Sequence, residues 1–264
     1  MWFSRYIILF VIVSFLGWAY ETLFALIRRR RWENRGFLYS PICPIYGVGA
    51  LILIGVCRLM TGSDPAAMAW WQVFLISCVG SAVLEYVTSW GLEKLFHARW
   101  WDYSNLPLNI QGRICLPAAL AFGVAGLLLA YVIIPLISQM IDGLSPTGVD
   151  VLGVILIVWL VIDLTMTVLM LTKFGKKMRQ LEEKINRHME VFVKNAKDSK
   201  RLATEAIARE RERFTMKAMR QMLQNGNLRL RRTLYRIKLY KYPKIESKTI
   251  EQVIDDVKRF WRQK

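Results

Sequence analysis

Cysteine and histidine are scarce in this 264-residue chain, with four of the first and two of the second. Cys43, Cys57, Cys78 and Cys115 show no C-x-x-C spacing. That pattern argues against both a disulfide framework and a zinc site, and the four read as small apolar fillers. His97 and His188 are isolated, and H-E-x-x-H, G-x-S-x-G and G-x-x-x-x-G-K-[ST] are all missing. Without a P-loop the chain has no means of hydrolysing ATP alone. No metal and no cofactor is expected. Acidic residues are scarce as well, but only in one part of the chain. Residues 172–264 hold 27 Lys/Arg against 11 Asp/Glu, whereas residues 1–171 hold 10 against 9.

What is present is apolar. The chain is 54% hydrophobic and still carries a formal charge of +17. An ordinary soluble enzyme, a disordered chain and a disulfide-rich secreted domain are excluded by that combination. Two regions follow: a nearly neutral apolar block, 1–171, and a basic tail, 172–264.

A bilayer core about 30 Å thick needs ~20 mostly apolar residues per helix. Five stretches meet this: Tyr6–Ile27, Pro44–Met60, Ala69–Ser89, Leu116–Ile137 and Val149–Leu171. The second is short and begins in a Pro-rich turn, which points to a bent or re-entrant entry. The first loop carries Arg28, Arg29, Arg30, Arg31 and Arg35, and the third carries Lys94, Arg99 and Arg113. The second and fourth loops carry Asp64, Asp142 and Asp150 instead; Arg58 is the one discordant charge. Positive-inside bias then gives an N-out, C-in topology with a cytoplasmic tail. The fold class expected is all-α: a polytopic helical membrane protein of about five spans, in the inner (plasma) membrane. Trp and Tyr residues flank the spans as interfacial anchors. In span four, Ala119, Gly123, Gly126 and Ala130 form a small-residue stripe suited to close helix packing.

Ionisable groups at membrane depth are costly and point to function. Glu21, Glu85 and Asp163 all fall in the cytoplasmic half of their spans, and by this topology they share a layer. The plain alternative for each is an ion pair with a nearby Arg or a snorkelling interfacial carboxylate. The loops on that side, 28–44 and 90–115, are expected to be structured. The first runs Asn34-Arg35-Gly36-Phe37-Leu38-Tyr39-Ser40-Pro41 and enters span two through Cys43-Pro44-Ile45-Tyr46-Gly47. The third holds Glu93, Trp101-Asp102-Tyr103-Ser104, Asn109 and Gly112-Arg113-Ile114-Cys115-Leu116. At about 26 residues it exceeds a usual connection and reads as a cap folded against the membrane face.

These residues resemble the ABC-transporter type IV, or CmpB-like, membrane permeases. The resemblance rests on Gly17-Trp18 with Glu21, on Asn34–Gly47, on Glu85-Tyr86 with Glu93, and on Trp101–Ser104 through Asn109 and Gly112–Leu116. It covers roughly residues 5–130. Ser40 departs from the pattern, which has a second glycine before Pro41. The resemblance implies a transport permease; it supplies no substrate and no catalytic residue.

Three roles for the polar layer follow from the chemistry. In the first, Glu21, Glu85 and Asp163 bind a cation or proton, with Arg35 and Arg113 as counter-charges. The wider candidate set adds Asn34, Tyr46, Glu93, Asp102 and Asn109. In the second, a carboxylate base and Arg-held phosphate work on inner-leaflet lipid. The third makes the protein a non-catalytic scaffold whose polar network specifies the fold. The permease-type subunit leads, partnered with a separate ATPase, and self-association is open. The alternative is an intramembrane lipid-handling enzyme or scaffold.

The tail from Lys173 to Gln224 has helix-forming composition and a single glycine, Gly175. Met178, Leu181, Ile185, Met189 and Phe192 recur at 3–4 spacing. Asn225-Gly226-Asn227 is a turn signal. Beyond it, Leu228–Tyr242 interleaves basic residues with Leu and Tyr, which suits anionic lipid headgroups; nucleic acid ranks last. Ile250–Trp261 reads as a short amphipathic helix.

Overall fold

A computed structural model of the chain describes residues 2–29, 35–195, 200–224 and 239–240. Five helices among them are long and apolar enough to cross a membrane. Helix α1 is Trp2–Arg29 and α2 is Pro44–Thr61; α3, Trp70–Phe96, follows a 3-10 turn at Pro65–Ala67. The fourth span is composite: α4, Leu116–Leu128, passes through a π-helical segment, Leu129–Ile133, into α5, Ile134–Asp142. Pro135 lies in the first turn of α5 and has no N–H to continue the α-helical ladder, which accounts for the wider turn there. The fifth span opens α6, Pro146–Asn195; α7 is Lys200–Gln224.

Each span matches its expected stretch, with longer ends. α1 begins at Trp2 because no breaker precedes Tyr6. Past Leu171, α6 runs on to Asn195, since Lys, Glu, Arg and Met continue a helix as readily as apolar residues do. α2 stops sharply. Gly62 adopts a left-handed conformation and its N–H caps the Arg58 carbonyl at 2.9 Å. Arg58 itself donates to the Asp64 carboxylate at 2.8 Å and to the Tyr6 hydroxyl, so the discordant charge is neutralised locally.

The chain divides into two compact units. The first comprises Met1–Gly91 and Asp102–Val168; the second comprises Leu92–Trp101 and Leu169–Lys264. In the first, one face of each span is buried and the rest is exposed and apolar, as lipid requires. On α3, Val79, Val83 and Val87 are exposed while Val73, Glu85 and Ser89 are buried. Ile8, Leu9 and Val13 of α1 pack with Ala50 and Ile54 of α2, Ile134, Ile137 and Ile141 of α5, and Val149 of α6. The small stripe of α4 meets α3, with Gly123 against Phe74 and Cys78, and Gly126 against Ser77.

In the second unit, Phe174, Met178, Leu181 and Ile185 of α6 bury together with Met219 of α7 and Ala98, and Met189 packs on their edge. The seam read from the sequence is therefore the buried one; the Phe192 side chain lies outside the described residues. His188 stacks on Phe214 at 3.9 Å and bonds Glu210 at 3.1 Å. Strand β1, Ala98–Arg99, pairs antiparallel with β4, Leu239–Tyr240. The remainder of Leu228–Tyr242, the turn at Asn225–Asn227 and the segment Ile250–Trp261 lie outside the described residues.

Candidate polar site in the membrane layer

The site begins where α1 crosses α2. Gly17 and Glu21 are four residues apart, hence on one face of α1. A side chain at Gly17 would occupy the space filled by the Tyr46 ring. With glycine there, Tyr46 lies flat on α1 and its hydroxyl donates to Glu21 Oε1 at 2.7 Å. One turn before Gly17, the Ser14 carbonyl accepts the Cys43 N–H at 2.9 Å, fixing the start of α2.

The second half comes from the connection between α3 and α4, which folds as a cap. Two short strands, β2 (Asn109–Ile110) and β3 (Ile114–Cys115), pair antiparallel. Gln111 and Gly112, at the bend, both have positive φ, and the Arg113 N–H reaches the Ile110 carbonyl at 3.0 Å. A Cβ on Gly112 would run into the Asp102 carboxylate and the Ser104 hydroxyl. Asp102 Oδ1 accepts the Ser104 N–H at 3.1 Å and its hydroxyl at 2.5 Å. Asn109 donates to the Leu106 carbonyl at 2.8 Å and accepts the Gly112 N–H at 3.1 Å. The Tyr103 N–H binds the Gly112 carbonyl at 2.8 Å.

This network presents two side chains to α3. The Tyr103 hydroxyl donates to Glu85 Oε1 at 3.0 Å. Arg113, only 6% exposed, donates from Nη1 to Ser89 Oγ at 3.2 Å, one turn further along the helix. Its guanidinium also lies over the Tyr86 ring, 5.7 Å from the centroid.

Two carboxylate–tyrosine pairs result, and they share a field. Burial pushes the Tyr103 phenol up from its ordinary value, and the Glu85 and then the Glu21 carboxylates push it further. The phenol stays protonated and serves as a fixed donor. Glu85 is 5% exposed. Its Oε2 has no hydrogen-bond partner, and among the described residues neither Glu85 nor Glu21 has an ion-pair partner.

Asp163 is as deeply buried, at 5% exposure, but its surroundings differ. Its Oδ1 accepts the Tyr39 N–H at 2.9 Å and its Oδ2 the Ser40 N–H at 3.0 Å. Thr167, one turn along α6, accepts the Tyr39 N–H at 3.0 Å as well. The loop 35–43 is thereby docked on the middle of the fifth span, with Leu38 and Ile42 fully buried beneath it. Irregular backbone at that depth requires protein partners for its N–H groups, and Asp163 supplies them. Ser40 does not have a positive φ, so the turn forms without the glycine of the family pattern.

The candidate residues therefore separate by contact. Glu21 pairs with Tyr46 and Glu85 with Tyr103, and the two pairs act on each other electrostatically. Asp102, Asn109 and the backbone of Arg113 build the cap. Asp163 holds the first loop, where Cys43 Sγ donates to the Arg35 carbonyl at 3.4 Å. Glu93 belongs to the second unit and pairs with Arg99 at 2.6 Å. Asn34 lies outside the described residues. Tyr103, Gly17, Ser89 and Thr167 were not singled out as site residues. A signal for three of them existed: Gly17/Glu21, Glu85/Ser89 and Asp163/Thr167 are all i,i+4 pairs within apolar runs.

The arrangement defines a class: a multi-pass helical membrane protein whose spans enclose carboxylates bonded by side chains and backbone from its own loops. Residues 8–168 match the family described as Putative ABC-transporter type IV, and the chain belongs to that family. No curated protein and no solved structure matches the chain.

Proposed function

We propose that the chain is a permease-type subunit of a transport system, with its working site at Glu21, Tyr46, Glu85 and Tyr103. One observation carries this reading: two carboxylates are held inside the membrane-spanning block by tyrosine hydroxyls, with no ion pair to neutralise either among the described residues. A carboxylate that served only to brace helices would gain from a paired cation or several donors. Intramembrane acids without such partners are characteristic of ion and substrate pathways. Family membership supports transport as the general role.

On this reading the energy comes from a separate ATPase subunit or an ion gradient, because the chain has no P-loop. The tail faces the cytoplasm of an N-out, C-in protein in the plasma membrane, where its basic run rests on anionic headgroups. The test is purification in mild detergent with mass spectrometry of the intact complex. The expected result is a stoichiometric P-loop ATPase whose ATP hydrolysis changes in the Glu85→Gln variant. A protein that instead turns over a phospholipid by itself, with no partner and no gradient, overturns the permease reading.

A further inference from the structure

We propose that Glu85 is a proton-binding site, with Oε2 as the atom that takes up and gives back the proton. The proposal rests on the permease reading only for its use in transport; the binding site stands on geometry.

The argument is a contrast of two buried acids. Asp163 has a backbone N–H on each oxygen, so both of its oxygens have a donor. Glu85 is equally buried, yet receives one bond, from a neutral phenol, on Oε1 alone. Its Oε2 is sealed from solvent and has no donor. A charged carboxylate oxygen left so in an apolar layer is costly, as an unpartnered buried charge is. A proton removes that cost: it forms one O–H bond on Oε2 and takes the group from −1 to 0. Release reverses both changes and hands the proton to water or a carrier; no electrons move.

The groups around Glu85 favour a proton over a metal ion. Glu21 of α1 and Tyr103 of the cap act on Glu85 itself; Cys115 acts on Tyr103, and Tyr46 of α2, with Cys43 at its start, sits on Glu21. Arg113 is held one turn along α3 on Ser89. Both phenols already direct their O–H to carboxylates, and no group of three or more metal-ligating side chains occurs among the described residues.

The test is infrared difference spectroscopy of the purified full chain, titrated with pH in sodium-free buffer. The expected result is a protonated-carboxyl C=O band that grows on acidification and disappears in Glu85→Gln. In Tyr103→Phe the band should persist and move to higher frequency, because Oε1 loses its hydrogen bond. The second variant keeps the test decisive if the first does not fold. A band unchanged in folded Glu85→Gln, a band unmoved in Tyr103→Phe, or one that responds to sodium instead of pH overturns the proposal. A normal band in a protein with no ATPase partner and no transport would defeat the permease reading and leave the proton site standing. An ATPase complex with no such band would do the reverse.

Discussion

Asp163 and Glu85 are acids of equal burial in two spans of one protein, and their partners differ in number and kind. Asp163 meets main-chain amides, which cannot leave or titrate. Glu85 meets one phenol, and its other oxygen is buried without a donor. Depth in the membrane therefore does not by itself fix a carboxylate's surroundings; the number and kind of donors differ at equal burial.

The largest test of this contrast is Asp163→Ala. The Ser40 amide would lose its acceptor, at about 1–3 kcal/mol, and the Tyr39 amide would keep only Thr167. Thermal unfolding in detergent should show a marked loss of stability, and Asp163→Asn, which keeps one carbonyl acceptor, should lose less. Glu85→Gln should do the opposite and leave the unfolding temperature unchanged or higher, because it removes a poorly compensated buried charge. If both amide variants were equally destabilised, the two acids would be equivalent and the contrast would collapse.

Gly17→Leu should come next. It would displace the Tyr46 ring and overpack the α1–α2 crossing, costing about 1–3 kcal/mol. Cysteine cross-linking between α1 and α2 should report the separation. Tyr103→Phe removes one buried bond, about 1 kcal/mol. It also changes the pH response. The native phenol is raised above its unfolded value, so its contribution is fully present below the ordinary tyrosine pKa of ~10 and is lost as pH rises beyond it. Stability measured across that alkaline window should fall less steeply in Tyr103→Phe than in the native chain. Ser40→Gly is the smallest: the turn forms with ordinary φ, so glycine adds only backbone entropy, about 0.5–1 kcal/mol of destabilisation.

The spans were legible because length and apolarity are local properties. Their ends were less so: nothing in Lys173–Asn195 interrupts a helix, and only contacts decide where the lipid-facing part gives way to Met178, Leu181 and Ile185. The carboxylates were legible as charges inside apolar runs. Their partners were not, because each lies far away in sequence. Tyr103 is 18 residues from Glu85, and Tyr39 is 124 residues from Asp163. Glu21, Glu85 and Asp163 are all in the cytoplasmic halves of their spans by the charge-bias topology, but hydropathy cannot tell an acid that receives amides from one that does not. The motif at Trp101–Leu116 was legible as unusual, and its residues turn out to serve largely to build the cap that carries Tyr103 and Arg113.

The docking of Tyr39 and Ser40 on Asp163 has a consequence for how the protein is made. Synthesis proceeds at roughly 5–20 residues per second, so the 124 residues between Tyr39 and Asp163 take on the order of 6–25 s to appear. During that interval the first two spans are already out of the ribosome while their connecting amides have no acceptor. The hairpin must wait, shielded by the insertion machinery or by water, until the last span arrives. A nascent chain stalled after span four would expose that loop to proteases, and one stalled far enough beyond Thr167 for Asp163 to have left the ribosome would not. Docking of this loop therefore waits for the fifth helix, whose carboxylate accepts amides from the other end of the chain.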